Sequence, residues 1–231
     1  MEKGIFGGKY KAITFSFDDG NIDDVRLIEI MNKYGLKGTF NLNSGSLTYT
    51  SCWRFENVKD VRHINYFDFP DLYNGHEIAG HTYTHPDLTK CDENTVINQI
   101  KLDKLILEHL YNTKIEGFAY PFGTYNDAVA SVLNENGIRY GRTTKNTYDF
   151  KLPENPLTWH PTCKYTDKSI EEIAQKFFES TEKNIVFYIW GHSYELVTNE
   201  DWKHFEDVCK LLSGHRDVCY CTNIDVIKCL G

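Results

Sequence analysis

Long basic runs are missing from this chain: no stretch of lysine and arginine exceeds two residues, and 33 acidic against 25 basic side chains leave a formal charge of −8. Such a chain has no electrostatic footprint for a nucleic-acid backbone or an anionic membrane, so neither is expected as a partner, and a neutral or cationic ligand fits better. Long apolar stretches are missing too. The longest, Ile185 to Trp190, is too short for a membrane span and reads as a buried strand. The first ten residues, Met1 to Tyr10, contain no apolar signal region. Cysteine is present (Cys52, Cys91, Cys163, Cys209, Cys219, Cys221, Cys229), but the count of seven is odd and suggests no close disulfide framework. Free thiols in a reducing, cytoplasmic compartment are expected, with secretion only if a signal was removed. Four of these cysteines lie between Cys209 and Cys229, which raises a structural zinc site. Without paired C-x-x-C knuckles, packing is the simpler reading, with Cys219 and Cys221 on one face of a strand. Repeats, low-complexity tracts and Pro/Gly/Ser linkers are all lacking, so residues 1–231 are expected to form one domain.

What is present is a hydrophobic fraction of 41% and an aromatic fraction of 14%, enough for one large core. Strand-like and helix-like runs alternate. The expected strands are Ala12–Phe17, Gly38–Asn43, Glu77–Thr82, Gly117–Pro121, Arg139–Thr144, Ile185–Trp190 and Val218–Thr222. The expected helices are Ile22–Tyr34 (closed by Gly35), Asp92–Tyr111, Asp127–Asn136, Ser169–Thr181 and Glu200–Leu212. Such alternation indicates parallel βα units closed, or nearly closed, into a barrel, whose chemistry sits on the loops after the strand C-termini. Ser44–Asn74 breaks the pattern and holds Tyr49, Trp53, Phe55, Tyr66, Phe67, Phe69 and Tyr73. It reads as an elaborated loop with its own small core rather than a sugar-stacking surface.

Asp18 and Asp19 end the first strand, in Thr14-Phe-Ser-Phe-Asp-Asp-Gly20. Two adjacent carboxylates after an apolar strand are costly unless compensated. Alone, the pair reads more simply as a solvated turn or a helix N-cap. His81-Thr-Tyr-Thr-His85 ends another strand, and a spacing of four places both imidazoles on one side of a helical turn, within reach of one cation. With a carboxylate they form a His₂-carboxylate set that leaves positions open for water and substrate. His192, ending Ile185-Val-Phe-Tyr-Ile-Trp-Gly-His, suits general acid work. Phe118-Ala-Tyr-Pro-Phe-Gly123 ends a fourth strand, and its plain reading is a strand terminator.

Taken in order, Asp18-Asp19, His81-Thr-Tyr-Thr-His85, Tyr120-Pro-Phe-Gly123 and Trp190-Gly-His192 resemble the motifs of the NodB-type polysaccharide deacetylases, carbohydrate esterase family four. Gly75-His-Glu-Ile-Ala-Gly-His81 is similar as well, and the resemblance runs from Lys11 to Asn223. It implies a distorted (β/α)₇ barrel. It implies Asp19, His81 and His85 as ligands of one divalent metal, usually zinc, with cobalt, nickel or manganese accepted in some members. Asp18 matches the general base, His192 the general acid, and the backbone N–H of Phe122 an oxyanion donor. The implied reaction removes an N-acetyl group from an amino sugar or glycan, so an acetylated carbohydrate, or else a small amide, is the expected substrate.

Two departures stand out. Ala119 replaces the family arginine that pairs with the catalytic aspartate, and the aspartate-tryptophan segment that orients the acid histidine is not recognisable, Thr158-Trp-His-Pro-Thr162 lying in that region. Arg142 is the expected substitute for the arginine. Arg139-Tyr-Gly-Arg-Thr-Thr144 reads as the next strand, and period-two alternation sets Arg142 on the opposite face from Arg139, near the C-terminal end. Glu195 reads either as a partner that orients His192 or as a surface carboxylate, and His76 and His160 read as structural. An O-acetyl esterase, a non-sugar amidohydrolase and a catalytically silent glycan-binding relative are the alternatives. A base and an acid together favour turnover, because a bare binding site needs neither.

Overall fold

A computed structural model describes residues 3–49 and 51–231. The first strand, β1 (Lys11–Asp18), is buried throughout because its two faces serve different layers. Ile13, Phe15 and Phe17 enter the main apolar core, where Phe17 meets Phe205 edge-on at 6.0 Å. Ala12, Thr14, Ser16 and Asp18 share the other face, and Ala12 packs there with Val186 and Tyr188. The helix α1 (Asp24–Lys33) buries Leu27, Ile28, Ile30 and Met31. It gives way at Gly35, whose φ of 66° is the left-handed conformation glycine adopts freely. β2 (Gly38–Leu42) then runs parallel to β1.

The segment from 44 to 74 is more ordered than the expected loop. It carries an antiparallel hairpin, β3 (Cys52–Phe55) and β4 (Lys59–Arg62). Beyond the hairpin, Tyr66, Phe69 and Tyr73 pack against the main core, where the insert was expected to have a small core of its own. The alternation resumes with β5 (Glu77–Gly80), α2 (Glu93–Tyr111), β6 (Gly117–Ala119), α3 (Asp127–Glu135) and β7 (Tyr140–Arg142). Asp92 caps α2 by accepting from the Thr95 N–H at 2.9 Å. β8 (Cys163–Lys164), α4 (Ile170–Glu179), β9 (Ile185–Gly191), α5 (Asn199–Leu212), β10 (Val218–Tyr220) and α6 (Asn223–Lys228) complete the chain.

The main sheet runs β7-β6-β5-β2-β1-β9-β8 with parallel neighbours. It comes round on itself ahead of β8, where the Trp159 N–H donates to the Gly141 carbonyl at 2.8 Å and the Thr143 N–H to the Trp159 carbonyl at 3.0 Å. The result is the expected distorted seven-strand barrel, with one change of membership. β10, which pattern alone counts as the seventh strand, pairs with residues 11–13 of β1, beside the stretch 15–18 that β2 occupies. The seventh place belongs to β8, two residues long and marked by no apolar run. All seven cysteines are free thiols, and Cys219 and Cys221 belong to a second apolar cluster at the β10 end of the barrel. No helix of the described residues is long and apolar enough to cross a membrane.

Candidate active site

The residues that pattern singled out converge at one mouth of the barrel, past the C-terminal ends of β1, β5, β7 and β9. Asp19 sits just beyond β1 with φ 75°, a left-handed turn that separates it from Asp18. Asp18 stays in the barrel, 3% exposed, while the Asp19 side chain is 14% exposed at the rim. His81 Nε2 lies 3.4 Å and His85 Nε2 3.6 Å from the same Asp19 oxygen. One ligand atom from each of the three residues falls within 4.8 Å of the others, a spread that one cation can gather.

No helical turn places the two imidazoles, contrary to the expectation from their spacing. Thr82 and His85 are both left-handed, with φ 70° and 59°, and the chain between them is a tight loop. Neighbours hold that loop. The Asn43 amide donates to the carbonyls of His81 and Thr82 at 2.5 and 2.9 Å, and the His85 N–H donates to the Thr82 hydroxyl at 2.9 Å. Asp103, buried on α2, accepts from the His81 N–H at 3.0 Å and the Ser44 N–H at 2.8 Å. His81 Nδ1 lies 2.8 Å from the Ala119 carbonyl. Donation there fixes the tautomer and leaves the Nε2 lone pair facing Asp19, as a metal ligand requires. Carboxylate oxygen plus two imidazoles is a donor set that suits zinc.

Behind this triad, the guanidinium of Arg142 hydrogen-bonds Asp18. Arg142 is fully buried, and its guanidinium lies 4.9 Å from the centroid of the Trp190 ring. Ala119 is its cross-strand partner, so the cation arrives from the strand next to the one that carries Ala119. The Asn41 amide donates to the other Asp18 oxygen at 2.9 Å. Burial pushes the Asp18 carboxyl up, and Arg142, with His81 and His192, reverses this and holds it below its ordinary value.

His192, just past β9, directs Nε2 at the two aspartates, 3.7 Å from Asp18 and 3.9 Å from Asp19. Its Nδ1 is 3.1 Å from Glu195, which answers the open reading of that carboxylate: it is a partner of the ring. Burial pulls the His192 pKa down, and Glu195 together with Asp18 and Asp19 lifts it above the ordinary value. The next residue, Ser193, donates to Asp24 at 2.5 Å, and Tyr73 donates to Asp24 at 2.8 Å. Phe122 has φ 60°, and its ring, 63% exposed, stands 4.7 Å from His85.

His76 and His160 stand apart. His76 accepts from the Gly38 N–H at 3.1 Å, and His160 pairs with the Thr143 hydroxyl at 2.6 Å. Sequence reasoning missed Asn41, Asn43, Asp103, Lys164 and Tyr194. Only Tyr194 carried a local signal, in its place two residues after His192. Its ring lies 4.9 Å from His192 and 5.3 Å from Trp53 of the hairpin. The hairpin end is tied to the Asp19 loop by Ile64 N–H to the Gly20 carbonyl and Ile22 N–H to the Arg62 carbonyl, both 2.9 Å. Trp53 and Phe55 of the hairpin pack edge-on against Tyr194, at 5.3 and 5.1 Å.

The family model described as polysaccharide deacetylase matches residues 7–141. The chain belongs to that family. A chitin deacetylase from Arthroderma benhamiae is 28% identical over 127 residues, 54% of this chain and 31% of that protein. The chain spans about a third of the length of the curated relatives it matches, 36% and 31%. A family 4 carbohydrate esterase from Streptomyces lividans, solved with acetate, superposes with a TM-score of 0.56 at 18% identity, covering 91% of each chain. A Bacillus anthracis structure described as a family 4 pseudoenzyme gives a TM-score of 0.58 at 18% identity, covering 95% of this chain and 65% of that one. The fold is thus shared with a protein described as an esterase and with one described as a pseudoenzyme, so the fold alone assigns no activity.

Proposed function

We propose that the chain is a metal-dependent deacetylase that hydrolyses an N-acetyl group on an amino sugar or glycan. One observation carries the reading: Asp18, the Asp19-His81-His85 set and His192 meet at one barrel mouth, with Nε2 of His192 3.7 Å from Asp18. A divalent cation, zinc by preference, would polarise the acyl carbonyl and acidify water. The protein supplies the rest. Asp18, kept ionised by Arg142, accepts the proton of the attacking water. The Phe122 N–H meets the charge that develops on the acyl oxygen. His192, protonated on Nε2, gives its proton to the departing amine. A silent glycan-binding relative would need neither this base nor this acid.

The experiment is direct. Zinc-loaded protein is incubated with N-acetylated and O-acetylated glycans and free acetate is measured. Release from N-acetylated glycans supports the reading; release only from O-acetylated ones makes the chain an esterase, and none from either removes the enzymatic reading.

A further inference from the structure

The His192 ring is held from behind by a pair that no sequence motif connects. Glu195 Oε1 lies 3.1 Å from His192 Nδ1, and the same oxygen takes Lys164 Nζ at 2.5 Å. Lys164 comes from β8, on the strand beside the one that leads to His192, and its ammonium lies 5.4 Å from the Trp190 ring centroid. Glu195 Oε2 is 3.4 Å from the His192 backbone N–H, so the carboxylate grips both the ring and the main chain of one residue. Neither carboxylate nor ammonium is a solvated surface group, with side-chain exposures of 11% and 30%.

We propose that Glu195, itself held in place by Lys164, is a positioning residue that keeps a proton on His192 Nδ1 and aims Nε2 at the leaving nitrogen. This rests on the amide reading above and deepens it. An imidazole presents its Nε2 proton to a leaving group only if the ring cannot turn over, and a fixed acceptor at Nδ1 prevents that. Burial pushes the Glu195 carboxyl up, and His192 first and Lys164 after it bring it below its ordinary value, so Glu195 accepts from Nδ1–H as a carboxylate without removing the proton. In the step it serves, the C–N bond breaks, the His192 Nε2 proton passes to the amine, and Asp18 holds the proton taken from water. An amine leaves poorly without that proton, whereas a nitrophenolate leaves without help. The presence of this pair therefore points to a substrate with a poor leaving group, an amide rather than an activated ester.

The test compares two substrates in zinc-loaded protein: an N-acetylglucosamine oligomer and p-nitrophenyl acetate, counting only the hydrolysis that His81→Ala abolishes. Glu195→Gln should lower kcat on the oligomer about 10²-fold, with KM and zinc content little changed, and should lower it at least tenfold less on the ester. Lys164→Met should shift the same ratio in the same direction. Equal losses on the two substrates would overturn the proposal, as would a loss of zinc that explains both. Histidine-labelled protein gives a readout independent of turnover: a hydrogen-bonded Nδ1–H at His192, identified by its loss in His192→Gln, should be absent in Glu195→Ala. Its persistence there would also overturn the proposal. If wild-type protein cleaves the ester and no amide, the amide reading falls, and the nitrogen spectrum still decides the role of Glu195.

Discussion

Arg142 stands across the sheet from Ala119, in register, and delivers its guanidinium to Asp18. The contact expected from the sequence is present, and the strand register explains it. Neighbouring barrel strands lie about 5 Å apart, a gap that a long arginine side chain spans easily. An arginine shifted one strand sideways can therefore reach the carboxylate that Ala119 leaves without a cation.

Removing that cation strands a buried anion. Arg142→Ala should cost about 3–5 kcal/mol of stability and at least about 10²-fold in kcat, because Asp18 is 3% exposed and would lose the charge that keeps it ionised. Arg139→Ala should do little to either. Urea denaturation and steady-state kinetics on the two variants check this, and equal behaviour would reject the role given to Arg142.

The adjacent aspartates should separate cleanly. Asp18→Asn is expected to lower turnover by about 10³-fold or more while zinc content stays near the wild-type level. Asp19→Ala should lose the zinc, since its oxygen is the one that both His81 and His85 approach. Elemental analysis beside kinetics tells the two apart, and matching profiles would refute the division of labour.

Metal content should depend on both imidazoles and on pH. Purified protein is expected to bind one equivalent of zinc, and His81→Ala or His85→Ala to lose most of it. The aspartates raise the His81 pKa against the effect of burial, so a proton competes for that ligand on acidification. Zinc should leave as pH falls. Dialysis against a chelator at pH 5 and at pH 8 measures this, and stronger retention at the lower pH would contradict it.

At the opposite end of the barrel, burial lifts the Glu77 carboxyl from 4.5 to about 7, despite hydrogen bonds from the Ile224 N–H, Thr39 and Tyr140. Between those values the folded chain holds a proton there that the unfolded chain has released. Stability should fall as pH rises through this window, by up to about 1.4 kcal/mol per pH unit from this group. Asp24, lifted to about 7, adds to the same trend. Glu77→Gln should flatten the curve without affecting zinc content. Urea midpoints at several pH values between 5 and 8 provide the measurement, and an unchanged slope would show that Glu77 is ionised in the folded protein.

What the sequence by itself determined was whatever depends on local pattern. Apolar runs at strand and helix periods located the βα units to within a few residues. Asp18-Asp19, His81, His85 and His192 announced themselves because each follows a strand and so stands at the barrel mouth. What the tertiary structure decided depends on register and on contacts distant along the chain. β8 is two residues long and qualifies as a barrel strand only through its neighbour β9. The pairing of His81 with His85 came from left-handed backbone at Thr82 and His85, a loop conformation that a spacing of four does not reveal. Asp103 reaches the His81 backbone from 22 positions away, and Lys164 reaches Glu195 from 31. A buried polar group must find a partner, but which partner it finds is set by how strands align and helices pack.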